Sequence, residues 1–104
     1  MERGEIRWYR FKEPDKKRPI VILTRNSILP YLHSVTVAPI TSTVRDIPTE
    51  VFLSKEDGMK KGCVINCDNI QTVLKSKLGK IITTLNQQKL AELNKAVQFA
   101  LELE

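Results

Sequence analysis

The sequence of 104 residues has little of the chemistry on which most enzymes rely. It contains one histidine, His33, so two histidines cannot share acid and base roles within one chain, and we expect His33 at the surface. Its four glycines form no phosphate-binding loop, and no residues recur at metal-ligand spacing. An enzyme of this sequence is therefore expected to need no metal or cofactor and to work through arginine, hydroxyl, carboxylate and backbone groups.

Cysteines and long apolar runs are also scarce. Cys63 and Cys67 would lie about 13 Å apart in one strand, too far for a disulfide, so we expect buried free thiols. No apolar run reaches membrane-spanning length. The charged start, Met1–Glu5, is unlike a signal peptide. These features predict a soluble intracellular protein that forms a single domain over residues 1–104.

Basic residues outnumber acidic residues in this chain. The chain carries 17 Lys and Arg against 12 Asp and Glu, a net charge of +5. A basic protein of this size favours a polyanionic partner, which includes RNA, DNA and acidic protein segments.

The central stretch of the chain is Lys17–Asn26. Ile20–Leu23 is a short apolar run between polar residues, which predicts a strand buried on both faces. Pro19 lacks an N–H, so we expect it at the first strand position. Arg18 would then stand at the mouth of the strand, where its cation can face a ligand.

Alternating apolar residues predict further strands at short intervals. A charged hairpin-like connection is expected at 12–17, and a loop with one helical turn, stopped by Pro30, at 26–34. Pro39 implies a bulge or an edge within its strand. Strands every eight to twelve residues predict a compact barrel or sandwich. The predicted strands are 5–11, 19–23, 35–41, 48–53, 63–67, 70–74 and 80–84.

The C-terminal segment has helical periodicity. Asn86 is a suitable N-cap, with a capping box of Thr84 and Gln87 as the competing start. Phe99 and Leu103 lie off the apolar stripe, and they serve either a subunit interface or a wider core. The stripe that would pack on the sheet comprises Leu90, Leu93, Ala96, Val97, Ala100 and Leu101.

Two polar clusters end predicted strands. Thr41, Ser42 and Thr43 place three hydroxyls in a row, which suits phosphate oxygens but also suits a turn closed by its own side chains. The segment 66–71 combines amides with an acid, and it can read base edges of an unstacked strand or form an Asx turn.

Four blocks of the sequence resemble the MazF/PemK family, the toxins of bacterial toxin–antitoxin pairs. Their order and spacing agree with that family, and the terminal helix extends the resemblance over nearly the whole chain. The blocks are Arg3–Trp8, Lys17–Leu23, Val37–Ser42 and Val64–Thr72.

The resemblance implies a mainly β (α+β) fold, an SH3-like antiparallel β-barrel with a C-terminal helix, usually as a homodimer in the bacterial cytoplasm. It also implies a metal-independent endoribonuclease that cuts single-stranded RNA, often mRNA, at short motifs. A cognate antitoxin would inhibit it by laying an acidic tail across the RNA groove, which the positive net charge suits.

The resemblance assigns three catalytic residues. Arg18 matches the arginine of the family's Arg-Pro block, Thr41 matches the threonine that ends the third strand, and Asp68 matches an acid that some members use as a base. By analogy the 2′-hydroxyl attacks the adjacent phosphate, which leaves a 2′,3′-cyclic phosphate and a 5′-hydroxyl. Arginine is always charged near neutral pH, so Arg18 would stabilise the pentacovalent charge, while Thr41 would orient the phosphate.

The chain departs from the family before Arg18, where the usual glutamate or histidine is missing and only Glu13 and Asp15 are near. Asn66 stands where some members carry a second arginine. Two rival functions are a toxin that binds DNA gyrase on a related barrel and an inactive RNA-binding barrel. The expected RNA contacts are Lys16, Lys17, Ser42, Thr43, Arg45, Asn66, Asn69 and Gln71.

Overall fold

The computed structural model describes residues 1–11 and 17–103. These residues form seven strands and one helix. The expected connection at 12–16 lies outside the described residues, as do Glu13, Asp15 and Lys16. The elements are β1 (Glu5–Arg10), β2 (Lys17–Ile22), β3 (Ser34–Thr41), β4 (Glu50–Leu53), β5 (Cys63–Asn66), β6 (Gln71–Leu74), β7 (Leu78–Thr84) and α1 (Gln87–Ala100).

The strands pair antiparallel in the order β4-β5-β3-β2-β1-β7. Strand β3 is long enough for two neighbours on one side: β6 pairs with Ser34–Val37 and β5 with Ile40 and Thr41. Pro39 lies in the interval between these partners, where no ladder bond is needed from that side. The predicted bulge or edge at Pro39 is therefore wrong: β3 is an interior strand, Pro39 pairs with Ile20 of β2 in regular register, and only its other side is unpaired.

The fold class predicted from the sequence is confirmed: a mainly β, antiparallel architecture with a C-terminal helix. The sheet of the described residues, however, does not close into a barrel, because β4 and β7 end the strand order without pairing to each other. Helix α1 contacts β4 at one of these ends, and Lys89 Nζ donates a hydrogen bond to the Phe52 carbonyl at 2.8 Å.

Strand β2 contributes to both cores, as its apolar run predicted. Val21 belongs to the core that α1 covers, together with Leu93 and Ala96, whereas Ile20 and Ile22 belong to the core on the opposite face. All three β2 residues are fully buried. This double burial fixes the strand firmly, so Arg18 is held by a rigid element.

Pro19 is the third residue of β2, so its predicted place at the first position is wrong. The strand begins two residues earlier because Lys17 and Arg18 pair with β1, opposite Arg10 and Tyr9. Before Ile20, β2 pairs with β1 but not with β3, and a proline is tolerated where one side is unpaired.

Pro30 does not stop the helical turn in the loop after β2. It lies inside a single 3-10 turn, Leu29–Tyr31, at a position where a proline is accepted because that N–H has no partner in the turn. Gly58 ends another 3-10 turn, Lys55–Asp57, with φ of 97°, and a Cβ there would lie 2.5 Å from Thr83 Oγ1. Glycine is therefore required at that turn.

Helix α1 begins as the N-cap pattern predicts. The Asn86 side chain accepts a hydrogen bond from the Lys89 amide at 2.9 Å, and the rival start at Thr84 is wrong because Thr84 ends β7. Leu93 and Ala96 are buried, but Leu101 is exposed because the helix has already ended there. Phe99 and Leu103 are also exposed, so a wider core does not account for them.

Within residues 1–11 and 17–103, no helix has the length and apolar character needed to span a membrane.

Candidate active site

Two cavities meet at the ends of β2 and β3. We call them the polar cavity, of about 350 Å³, and the apolar cavity, of about 510 Å³. Both volumes lie within the range of about 300–1,000 Å³ that is usual for small-ligand sites. Three residues line both cavities: Arg18, Ile40 and Thr41. The residues shared by the two cavities therefore include Arg18 and Thr41, two of the three predicted catalytic residues.

Thr41 is held in place by the turn that follows β3. Its Oγ1 accepts a hydrogen bond from the Thr43 amide at 3.2 Å, so the turn-forming interpretation of this hydroxyl cluster is observed. The same turn leaves Thr41 and Thr43 in the lining of the polar cavity and Ser42 in that of the apolar cavity. The Thr41 hydroxyl can therefore close the turn and also face a ligand in the cavities.

Three amide side chains line the polar cavity: Asn66, Asn69 and Gln71. They belong to the end of β5, the following 3-10 turn and the start of β6. Asn66 also caps that turn, since its Oδ1 accepts from the Asp68 amide at 2.9 Å. Amide side chains carry both donors and acceptors, which allows them to read the hydrogen-bonding edge of a base.

Glu50 lines the polar cavity, although it is not among the site residues predicted from the sequence. Its Oε1 accepts from the amides of Arg45 and Asp46, at 3.0 and 2.9 Å. This carboxylate holds a loop that places Arg45 in the cavity and in which Asp46 adopts a positive φ of 56°. The alternation of buried Val51 and Leu53 along β4 would have placed Glu50 on the opposite face, which was the available signal.

Asp68, the predicted base, is exposed and lines neither cavity. Its Oδ2 accepts a hydrogen bond from the Thr49 hydroxyl at 2.7 Å. The short 3-10 turn Cys67–Asn69 brings Asn69 into the polar cavity and leaves Asp68 beside Thr49. Arg18 and Thr41 therefore line the same two cavities, and Asp68 is not among the residues that line them.

The apolar cavity differs in chemistry from its neighbour. Its apolar lining includes Trp8, Met59, Ile81 and Ile82, and no carboxylate lines it within the described part of the chain. Its lysines are Lys60, Lys61 and Lys80, all exposed. Lys17, an expected RNA contact, lies over the Trp8 ring with Nζ 5.3 Å from the ring centroid. The remaining expected contact, Lys16, lies outside the described residues.

Cys63 and Cys67 are buried free thiols, as predicted. Burial, reinforced by the Asp68 charge, raises the pKa of Cys67 to about 11. Burial and Asp57 raise the pKa of Cys63, and nearby Lys61 partly opposes them. Both thiols therefore stay protonated near neutral pH and are poor nucleophiles.

Comparison with known proteins decides the family. The model of the PemK-like, MazF-like toxins of type II toxin–antitoxin systems matches residues 2–101. The chain belongs to this family. It is 42% identical over 90 residues to the protein named endoribonuclease MazF3 of Mycobacterium tuberculosis, a match that covers 86% of this chain and 87% of the relative. The resemblance recognised in the four sequence blocks is thereby confirmed.

Solved structures of the family share the fold. The M. tuberculosis toxin MazF-mt6 superposes with a TM-score of 0.88 at 39% identity, covering 96% of this chain and 98% of the other. A mycobacterial endoribonuclease in complex with its cognate antitoxin gives a TM-score of 0.88 at 28% identity, covering 100% of this chain and 97% of the other. The activity expected from the sequence, endoribonuclease, is the one named for MazF3 and for the antitoxin-bound mycobacterial protein.

Proposed function

We propose that this MazF-like toxin is a metal-independent endoribonuclease that cleaves single-stranded RNA at a short motif. The observation that carries the proposal is the position of Arg18 and Thr41 where the two cavities meet. A strand whose phosphate lies on this pair can extend into a cavity on each side. The net charge of +5 favours the polyanionic substrate.

The proposed reaction is an internal transesterification. The 2′-oxygen of the substrate bonds to the adjacent phosphorus, the bond from phosphorus to the 5′-oxygen breaks, and a 2′,3′-cyclic phosphate and a 5′-hydroxyl remain. A base accepts the 2′-hydroxyl proton, and the leaving 5′-oxygen takes up a proton from water. Arg18 stabilises the charge that builds on the phosphoryl oxygens, while Thr41 orients the phosphate by donating a hydrogen bond from its hydroxyl group.

Two carboxylates, Asp68 and Glu50, are candidates for the general base of this mechanism. Asp68 is the residue that the family resemblance assigns, but its Oδ2 already accepts from Thr49 and the side chain lies outside both cavities. Glu50 lines the polar cavity, with one oxygen engaged by two loop amides. We therefore propose Asp68 as base only for a substrate-bound state in which it leaves Thr49, which makes the Asp68→Asn variant informative.

We also propose the assembly that the family implies. Residues 1–104 would act as one toxin domain, as a homodimer in the bacterial cytoplasm, where its mRNA substrate is found. A cognate antitoxin with an acidic tail would inhibit it. Exposed apolar side chains at the end of α1 offer a surface for subunit contact, and they are Phe99, Leu101 and Leu103.

The test is cleavage of a long single-stranded RNA by the purified protein in EDTA, with the ends mapped. Wild-type protein should cut at one recurrent motif and leave cyclic phosphate. Arg18→Ala should lower the rate about 10²- to 10³-fold, the usual effect of removing one group that stabilises transition-state charge. Arg25→Ala removes the same charge from an exposed arginine outside both cavities and should cleave normally.

Three results would contradict parts of this proposal. Intact RNA over many sequences would reject the nuclease, and gyrase binding by that protein would establish the rival toxin class. Cleavage that requires Mg²⁺ would reject the metal-independent chemistry. Full activity in Asp68→Asn would remove Asp68 as base, because loss of a general base costs about 10²- to 10⁴-fold.

A further inference from the structure

The apolar cavity has no role in the chemistry described so far, yet it shares Arg18 and Thr41 with the polar cavity. We propose that it is a second nucleotide subsite, which holds the base on one side of the scissile phosphate by apolar packing, without reading that base's hydrogen-bonding edge. The inference rests on the proposed endoribonuclease function and assigns different tasks to the two sides of the cut.

Geometry gives the first argument. A phosphate bound at Arg18 and Thr41 connects two nucleosides, and both cavities open from these residues. If the nucleoside on one side enters the polar cavity, its neighbour has the apolar cavity as its continuation. At about 510 Å³, the apolar cavity is also the larger of the two, so a base with its ribose fits the available space.

Side-chain chemistry gives the second argument. The interior surfaces of Trp8, Ile81, Ile82 and Met59 are apolar and suit the faces of a base. Stacking and apolar contact tolerate any base, because every base has a π face. The polar cavity instead presents three amides that distinguish donors from acceptors. Sequence preference is therefore concentrated on the polar side of the cut.

Charge gives the third argument and selects the occupant. Lys60, Lys61 and Lys80 line the cavity, and the described lining includes no carboxylate to oppose them. A base on the apolar floor brings its own 5′- and 3′-phosphates to such a rim, so a nucleotide satisfies both the apolar and the cationic parts. An apolar side chain from a second copy would satisfy only the floor.

The test pairs a variant with a modified substrate. Ile81→Ser removes apolar surface from a residue that is 49% exposed, and Leu74→Ser is its control, because Leu74 is 48% exposed and lines neither cavity. The substrates are an oligonucleotide with the mapped motif, versions with an abasic site on either side of the cut, and versions with each of the four bases there.

On one side of the cut, the abasic site should lower kcat/KM about tenfold for the wild type, in line with the contribution of one stacked base. Ile81→Ser should lower kcat/KM about fivefold on intact RNA and add almost nothing on that abasic RNA. Leu74→Ser should match the wild type on every substrate. The four bases on that side should differ by less than about fivefold, and on the other side by about a hundredfold.

Several outcomes would overturn the inference alone, with the nuclease function intact. These are equal kinetics for Ile81→Ser and Leu74→Ser, additive losses from variant and abasic site, or strict base preference on both sides. A change of sedimenting mass in Ile81→Ser would assign the cavity to a second copy. Weaker binding of an acidic antitoxin peptide with unchanged cleavage would assign it to that partner. Absence of any cleavage by the wild type would instead reject the proposed function itself.

Discussion

At the scale of single residues, Glu50 connects the fold to the candidate site. One carboxylate oxygen accepts two backbone N–H groups of the loop that carries Arg45. Hydrogen bonds to a charged acceptor are each worth about 1.5–3 kcal/mol. They offset the cost of the left-handed conformation at Asp46, roughly 1 kcal/mol for a residue of this kind. Glu50 is therefore best described as a positioning residue.

We predict that Glu50→Ala lowers kcat/KM about tenfold, because the loop loses both hydrogen bonds and Arg45 is no longer held in the polar cavity. Glu50→Gln keeps an acceptor oxygen and should retain most of the activity. The measurement is the pH dependence of kcat/KM for the two variants and the wild type. If Glu50 were instead the general base, Glu50→Gln would be as inactive as Glu50→Ala, and the acidic limb of the profile would disappear.

Sequence reasoning located Arg18 and Thr41 because they occupy fixed places in recognisable blocks at strand ends. It missed Glu50 because a single acid at the start of a short strand looks like ordinary surface. It also placed Asp68 near the other two residues, whereas the 3-10 turn directs Asp68 to Thr49, 19 positions earlier. Long-range partners of this kind depend on tertiary packing, which local patterns do not encode.

At the scale of elements, α1 depends on its first turn. The Asn86 side chain satisfies the Lys89 amide, one of the N–H groups that a helix start leaves without an internal partner. We predict that Asn86→Ala lowers the free energy of unfolding by about 1 kcal/mol, measured by urea denaturation. Cleavage should be unaffected, because Asn86 lines neither the polar nor the apolar cavity.

The matched control is Gln98→Ala, an exposed position near the end of the same helix. It should leave stability within about 0.5 kcal/mol of the wild type, the usual range for surface substitutions. Equal stability of the two variants would show that the Asn86 cap does not contribute, and lost activity in Asn86→Ala would connect the helix start to the site.

Element types were predictable because their hydrophobic periods are strong. The buried run Ile20–Ile22 and the helical stripe around Leu93 both occur in the structure. Element ends were less so: β2 begins before Pro19, and α1 ends before Leu101 reaches the core. The first difference arises because β2 pairs with β1 from Lys17 onward, and the second because α1 ends at Ala100. Each shifts the end of an element by only one or two residues.

At the scale of the whole molecule, the sequence predicted the strand-rich architecture and the family but not the openness of the sheet. A sheet closes into a barrel when the first and last strands of its order pair, and here these are β4 and β7, which do not pair. The spacing of apolar residues within each strand carries no information about whether two such strands pair.

The salt dependence of cleavage separates the overall charge of the molecule from the local charge at the apolar cavity. Lys80→Gln and Lys95→Gln each lower the net charge from +5 to +4, but Lys80 lines the apolar cavity whereas Lys95 is exposed on α1 outside both cavities. For a single-stranded substrate, each phosphate contact contributes about 0.7 to the slope of log affinity against log salt. We predict that kcat/KM, measured below saturation over a KCl series, loses about 0.7 of this slope in Lys80→Gln and none in Lys95→Gln. Equal slopes in both variants would mean that RNA responds to net charge alone, and that the lysines at the apolar cavity do not contact the strand.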